Sequence, residues 1–314
     1  MEGPGPVAAR RSVILDCDPG YDDALAILLA ARHFDVLGVT AVAGNVDVER
    51  TTLNARRVVD LTGLPIPVAR GCARPLAQDP IHVPEIHGRS GLDGYEFPPP
   101  RARLDGRHAV EFLIDTARAR DGVTLIATGP LTNVAALMLA HPEAAGRLRE
   151  IVVMGGSTER GNVTPYAEFN VYADPEAADI VFGSGLPVTM CGLNVTHRAL
   201  ATTDVLDRIA ALGTPLARIC VDLLTFFADS YRRVFGFSAP PVHDPVAVAR
   251  VIDPAVVTTV ETNVAIELAG PHTRGATVVD LHQVTERQPN AQVAVDLDTA
   301  RFWDLVITAV ATLG

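Results

Sequence analysis

Lysine is absent from the chain: all 26 basic side chains in its 314 residues are arginine. Without a primary amine there is no Schiff-base chemistry, no lysine of a phosphate-binding loop and no lysine general base. Coding bias explains the absence and leaves the chemical exclusion intact. Tryptophan is nearly missing, Trp303 being the only one, and the four cysteines (Cys17, Cys72, Cys191, Cys220) form no CxxC pair. Scattered single thiols are expected to stay reduced in the cytoplasm. No window holds the roughly 18 to 20 apolar residues that a membrane span needs. The opening "MEGPGPVAARR" lacks an apolar run, so no leader peptide is expected. The charge of −11 argues against nucleic-acid partners, which call for a basic face, and against anionic membranes.

What remains is an ordinary globular composition, 48% hydrophobic and 20% charged. Short apolar runs alternate with helical spacing. "SVILDC" reads as a buried strand and "DDALAILLAARH" as the helix after it. "VLGVTAVAG" reads as the next strand, and "VERTTLNARRVVDLTG" as a helix with a glycine stop. The pattern repeats through "IPVAR", "RHAVEFLIDTARA", "VTLIATG", "LTNVAALMLA", "EIVVMGG", a helix over 175–183, "PVTMCG" and two helical segments between about 203 and 235. Such alternation predicts an α/β fold with a Rossmann-like core, a mainly parallel sheet flanked by helices on both faces. No composition shift marks a boundary. A disordered tail over 1–11 and a single domain over 12–314 are expected. Two long stretches, 71–106 and "STERGNVTPYAEFNVYAD", interrupt the pattern, and loops of that length are usually functional or disordered. In a parallel sheet, ligands collect at the carboxyl ends of the strands. The polar clusters after "SVILDC", at Gly44-Asn45, at Thr128-Gly129-Pro130 and at Gly155-Gly156 all fall there.

The densest cluster is "VILDCDPGYDD", which places Asp16, Asp18, Asp22 and Asp23 within eight positions. Carboxylates that close repel, and some resist ionising unless a positive charge sits among them. A counter-ion, a proton-transfer role or a helix cap would each account for the cluster, although a cap at Asp22 uses only one aspartate. All-oxygen donors favour calcium or magnesium over zinc or copper. An EF-hand is excluded, since the twelfth position from Asp16 is Ile27. In "PPVHDPVAVARVID", Asp244 followed by Pro245 suits an N-cap and first helical residue. Beside an oxygen-rich metal site, Asp244 would be a further ligand and His243 a general acid. In "GNVTPYAEFN", Asn162, Glu168 and Asn170 offer the mixed donors and acceptors that a polyhydroxylated ligand requires.

These blocks match a known family. "DCDPGYDDALAI" resembles the DxDPGxDD signature of the inosine–uridine preferring nucleoside hydrolases. "AGNV", "IHGRSGLDG", "ATGPLTN", "MGGS…GNVTPYAEFNVYADPEAA", "THRALAT" and "HDPVAVA" resemble the family's other blocks in its order, from about residue 12 to the end. The resemblance implies a single nucleoside-hydrolase domain that cleaves the N-glycosidic bond of ribonucleosides to free base and ribose. It implies a Ca2+ ion held by Asp18, Asp23, Asp244 and the main-chain carbonyl of Thr128, with Asp18 as general base for the Ca2+-bound water. Asp22, Asn45, Asn162, Glu168 and Asn170 would hold the ribose, and His243 would protonate the departing base. His87, Phe169, Phe227 and Tyr231 would line the base pocket, and Asp16 would support the aspartate loop from behind. It further implies a cytoplasmic homodimer or homotetramer serving purine and pyrimidine salvage. A branch that sandwiches purines between tryptophans does not fit a chain with Trp303 alone. Aromatic Phe227 and Tyr231 fit members that accept both inosine and uridine. Two alternatives stand beside this reading. A haloacid-dehalogenase-type phosphotransferase lacks its lysine here, and a non-catalytic calcium-dependent nucleoside or sugar binder would not need Asp18, Asp23, Asp244 and His243 together.

Overall fold

A computed structural model describes residues 10–314. Of the expected tail, residues 1–9 lie outside the described residues. Arg11 is tied down, its carbonyl accepting from the Asp35 amide at 2.9 Å and its guanidinium donating to the Val251 carbonyl at 3.0 Å.

Ten strands occur in the order β1 Ser12–Cys17, β2 Asp35–Ala41, β3 Val68–Arg70, β4 Thr124–Ala127, β5 Glu150–Met154, β6 Val188–Cys191, β7 Val257–Thr262, β8 Val264–Ile266, β9 Thr277–Val279 and β10 Ala291–Leu297. Eight form one sheet ordered β3-β2-β1-β4-β5-β6-β10-β7. Every neighbouring pair in it is parallel except β10 with β7 at the edge. Strands β8 and β9 pair separately, antiparallel.

The period-2 alternation of a strand places successive side chains on opposite faces. On β1, Val13, Leu15 and Cys17 join one hydrophobic layer and Ile14 joins the other. On β5, Val152 and Met154 face the first layer, and Ile151 and Val153 the second. The first layer is closed by helices Tyr21–His33, Val48–Thr62, Pro215–Phe235, Asp244–Ile252 and Thr299–Leu313, the second by Ala109–Ala119, Thr132–Ala140 and Pro175–Phe182. Helix Tyr21–His33 is buried from Tyr21 through Ala31 because it is covered on all sides, chiefly by helices Asp244–Ile252 and Thr299–Leu313. This explains a run apolar all round rather than along one stripe. Helix Val48–Thr62 ends where the sequence predicts, with Gly63 at φ 67°, a left-handed cap that costs glycine nothing.

Three features depart from expectation. The 71–106 stretch contains a one-turn helix, Pro84–His87, and the 157–174 stretch contains helix Phe169–Ala173. Both are too short to display a 3.6-residue apolar period. Beyond residue 253 the chain adds strands β7–β10 and helix Thr299–Leu313, which the sequence pattern left unassigned. Among the described residues no helix is long and apolar enough to cross a membrane.

Leu29 is fully buried in the central helix, and its side chain is not among those lining the main cleft. Leu29→Ala is expected to lower unfolding free energy by about 2–5 kcal/mol, measured by denaturant titration. A loss below about 1 kcal/mol would contradict the packing described.

Candidate active site

The strand order reverses at β1: the chain moves outward to β2 and β3, then returns to place β4 on the other side of β1. Such a switch point opens a crevice at the carboxyl ends of the two strands. Asp16 and Asp18 stand at the end of β1, Thr128 follows β4, and helix Tyr21–His33 starts in the same crevice with Asp22 and Asp23 in its first turn. Two further helices begin there, Phe169–Ala173 after Glu168 and Asp244–Ile252 after His243.

The four aspartates of the first loop take different places. Asp16 faces away from the cleft, its Oδ1 accepting from Thr40 Oγ1 at 2.5 Å and Asn133 Nδ2 at 2.8 Å, while its Oδ2 is buried without a partner. Burial outweighs those bonds and pushes its pKa up to about 7. Asp18 accepts the Asn45 amide N–H at 2.7 Å on Oδ2, and the Asn45 side chain donates to the Asp18 carbonyl at 3.0 Å. A Cβ at Gly44 would overlap that carboxylate, so glycine is what lets the β2 loop close onto Asp18. Asp23 accepts from the Gly20 amide at 2.9 Å and from Thr128 Oγ1 at 2.8 Å. It is Asp23, at the third position of the helix, and not Asp22, that bonds back to the cap residue. Asp22 Oδ2 accepts the His243 amide at 3.2 Å.

Asp244 corrects a second expectation. It is not the N-cap: the helix starts at Asp244 with His243 as the cap residue. That one-residue difference puts the Asp244 carboxylate in the first turn, facing the cluster. Asp22, Asp23 and Asp244, all buried, present oxygens within 4.8 Å of one another. Asp22, expected on the ribose, thus stands with two expected metal ligands. Burial raises the pKa of Asp18, of Asp22 to about 7, of Asp23 and of Asp244, and mutual repulsion adds to it for Asp18, Asp22 and Asp244. Hard oxygens, crowded, buried and without a cationic side chain on the cleft wall, form a donor set suited to a divalent cation such as calcium. The Thr128 carbonyl accepts the Asn170 side-chain amide at 2.8 Å, which uses one of its two lone pairs.

Across the cleft, Glu168 caps its short helix by accepting the amides of Gly156, Asn170 and Val171 at 2.9, 2.9 and 3.2 Å. Burial still carries its pKa up to about 7. Asn162 Oδ1 accepts the Phe169 amide at 2.9 Å. Together with Asp18, Asp22, Asn45, Asn170 and Asp244, these residues line one cleft.

The outer wall is aromatic. His87 stacks on Tyr21 with ring centroids 5.6 Å apart and an interplanar angle of 13°. Its Nδ1 is buried without a partner, and burial lowers its pKa to about 3. Phe169, Tyr231 and His243 also line the cleft. Phe227 does not. It is 1% exposed and packs behind the wall against Tyr21, His87 and Tyr231, with centroids 5.1, 5.5 and 4.8 Å away. The expectation that it touches the base is therefore corrected to one of support. His243 is held at both ring nitrogens, Nδ1 at 2.7 Å from Thr196 Oγ1 and Nε2 at 2.9 Å from the Tyr231 hydroxyl. Burial holds its pKa well below that of free histidine. Sequence reasoning missed Val83, Ile86, Met154, Val163 and Phe235 on the wall and Thr196 behind it. The first five are plain apolar residues, and Thr196 sits in the quoted block "THRALAT" with nothing in its type to single it out.

Comparison with known proteins agrees with this geometry. The inosine-uridine preferring nucleoside hydrolase family model matches residues 13–304. The chain is 44% identical over 306 residues to the pyrimidine-specific ribonucleoside hydrolase RihA of Photobacterium profundum, covering 96% of this chain and 99% of that protein. It is 45% identical over 307 residues to the RihA of Shewanella woodyi, covering 96% and 98%. Among solved structures it resembles the purine-preferring ribonucleoside hydrolase of Gardnerella vaginalis, with a TM-score of 0.90, 35% identity, and coverage of 96% and 99%.

The raised carboxylates set a pH test. With no cation bound, burial holds Asp16, Asp22 and Glu168 up to about 7, well above the ordinary carboxylate range. Groups shifted upward stabilise the fold most below their unfolded pKa, and that stability is lost as pH rises through the folded value. The Tm of cation-free protein is expected to fall between pH 6 and pH 8 in scanning calorimetry, and added Ca2+ should raise Tm more at pH 8 than at pH 6. A Ca2+-induced shift that is equal at the two values would contradict the cluster as a cation site.

Proposed function

The chain belongs to the inosine-uridine preferring nucleoside hydrolase family and is a ribonucleoside hydrolase, and from that premise we propose that it cleaves uridine and inosine to ribose and free base at the crevice between β1 and β4, with Ca2+ as its metal. The observation that carries this reading is the convergence of Asp22, Asp23 and Asp244 at two helix starts, with Asp18 on the same cleft wall and Glu168 at a third helix start opposite. Asp18, Asp23, Asp244 and the Thr128 carbonyl would hold the ion, with Asp22 close enough to join them. Bound there, Ca2+ supplies a polarised water and an anchor for vicinal hydroxyls.

This chain's own residues do the rest. Asp18, on the cleft wall and fixed by the Asn45 amide, removes the water's proton as its oxygen attacks C1′. Asp22, Asn45, Asn162, Glu168 and Asn170 hold the ribose hydroxyls. Breaking the C1′–N bond builds positive charge on the sugar, which buried carboxylates and carbonyls stabilise without reorganising. On the opposite side, His243 and Tyr231 form one hydrogen-bonded unit that donates to the departing base, with His87 and Phe169 against its faces.

The pyrimidine-specific names of the RihA relatives support uridine. Tyr231 with His243 supports inosine as well, because a purine leaving group gains from a donor aimed at its ring nitrogens. Trp303 takes no part: it is 4% exposed and packs on Phe302 at 5.0 Å. Four free cysteines, three of them buried, suit a reducing cytoplasm and a role in nucleoside salvage.

Ribose release from inosine, adenosine, guanosine, uridine and cytidine, assayed with Ca2+ present, should be greatest for uridine and measurable for inosine. Turnover of neither by folded, Ca2+-loaded protein would overturn the substrate assignment. Asp18→Ala should lower kcat by roughly 10²–10⁴-fold with an unchanged thermal melt, and full activity in that variant would remove Asp18 from the base role. His243→Ala should slow inosine far more than p-nitrophenyl riboside, whose leaving group needs no donor. Equal losses would remove His243 from the leaving side.

A further inference from the structure

Behind the leaving-group side of the cleft lies a three-residue chain whose first link the roles above leave unused: Thr196 Oγ1 to His243 Nδ1 at 2.7 Å, then His243 Nε2 to the Tyr231 hydroxyl at 2.9 Å. We propose that Thr196 is a positioning residue, whose hydroxyl donates to His243 Nδ1 and thereby fixes the ring tautomer that turns the Tyr231 proton toward the departing base. The proposal deepens the functional reading and rests on its placement of His243 and Tyr231 beside the leaving group.

The direction of the chain follows from counting protons. A neutral imidazole carries one N–H, so of the two hydroxyls beside it one must donate and the other accept. Thr196 is fully buried, and its hydroxyl has no partner besides His243. The side chains of Thr51, Thr52 and Thr62 each donate to a carbonyl three or four residues back in their helix, but Thr196 has no such acceptor. Were Nδ1 protonated, Thr196 would accept, and its own proton would be left buried with nowhere to go. Leaving a buried donor unpaired costs more than the hydrogen bond gains. Thr196 therefore donates, Nδ1 accepts, and the ring proton resides on Nε2. Nε2–H in turn donates to the Tyr231 oxygen, so the Tyr231 hydroxyl proton is not spent on His243. Tyr231 lines the cleft, which makes the base the acceptor open to that proton.

The ring is also fixed from the side. His197, the residue after Thr196, meets His243 edge to face with centroids 5.6 Å apart, and Phe237 packs on His197 at 5.6 Å. Donation along a chain polarises each link and strengthens the last. As the C1′–N bond breaks, its electron pair passes to the base nitrogen, and the Tyr231 hydroxyl stabilises the growing negative charge by a hydrogen bond. No proton need leave His243 in that step. The water's proton goes to Asp18 and its oxygen to C1′, so the balance closes, with the base taking a proton from solvent on release.

Thr196→Val removes the hydroxyl at nearly constant volume, and Thr196→Ser keeps it. In Thr196→Val, kcat on inosine is expected to fall about 10-fold, the order of one lost hydrogen bond, while p-nitrophenyl riboside turnover stays unchanged. Thr196→Ser should restore inosine turnover. An equal loss on both substrates, or a folded Thr196→Val with full inosine activity, overturns the proposal. Nitrogen-15 spectra of the histidine rings in unmodified protein give a readout independent of any variant's folding, with His243 assigned by its absence in His243→Ala. A proton on Nε2 supports the proposal and a proton on Nδ1 overturns it. If His243→Ala itself spares inosine, the leaving-side reading fails and the Thr196 role falls with it. A selective loss in His243→Ala beside a non-selective one in Thr196→Val rejects the Thr196 role alone.

Discussion

Repulsion among buried carboxylates is the constraint on which this structure turns. Oxygens of Asp22, Asp23 and Asp244 lie within 4.8 Å of one another, and at an effective dielectric near 20 each ionised pair at that distance costs about 3 kcal/mol or more. The fold opposes this in two ways. Helices Tyr21–His33 and Asp244–Ile252 start at the cluster, so their first turns and positive dipole ends lie beside it. Individual bonds from Gly20, Asn45 and His243 amides then reach Asp23, Asp18 and Asp22. A helix terminus contributes about 0.3–1 kcal/mol, reaching about 2 in buried geometry, which is less than the repulsion of a single pair. No arginine lines the cleft and lysine does not exist in the chain, so the remaining charge has to come from a proton or a cation. A divalent cation supplies that charge with hard-oxygen chemistry that these donors fit.

The sheet exists in the form that makes this crowding possible. Parallel strands end together, and reversal of order at β1 leaves a gap at that end which no crossover helix covers. Alternation along β1 sends Asp16 into the layer behind, against Thr40 and Asn133, while Asp18, past the strand end, enters the cleft. Its Oδ2 is unpartnered, and burial raises its pKa to about 7, so at neutral pH Asp16 keeps its proton far more than an ordinary aspartate does. Asp16 therefore lies apart from the cleft and brings less negative charge to it than an ordinary aspartate would. One aspartate in four is thus set apart from the cleft because it still belongs to the strand, which ends before Asp18.

How much of this was legible beforehand depends on how local each cause is. The strand–helix alternation, the sheet type and the glycine stop at Gly63 are short-range effects, and they stand where the sequence placed them. The aspartate cluster was legible because four like charges in eight positions are improbable without a ligand. The helix starting at Asp244 was placed one residue off because Asp-Pro fits both cap and first-turn positions, and the choice is made by contacts with Asp22 and Asp23, more than 200 residues away in sequence. Phe227 and Tyr231, one helical turn apart, look equivalent in sequence. Only the packing of helix Pro215–Phe235, with Phe227 against His87, puts one behind the wall and the other into it. Val83, Ile86, Met154 and Thr196 were invisible for the same reason: each has an unremarkable residue type, and its role comes from a partner that is distant in sequence.

His243 joins the two halves of the site. Its backbone amide is bonded to Asp22 at 3.2 Å, the next residue is Asp244, and its ring is fixed between Thr196 and Tyr231. The same residue is therefore held by the carboxylate cluster through its main chain and by the leaving-group side through its side chain. A hydrogen bond loses strength within a few tenths of an ångström, so a cluster left to repel, with Asp22 and Asp244 drawing apart, would move the Tyr231 hydroxyl relative to the base. In the proposed mechanism, neutralising the carboxylates therefore also steadies His243 and Tyr231 on the side where the base departs. Sugar-side and base-side chemistry are in this way parts of a single arrangement, with one backbone amide as the joint between them.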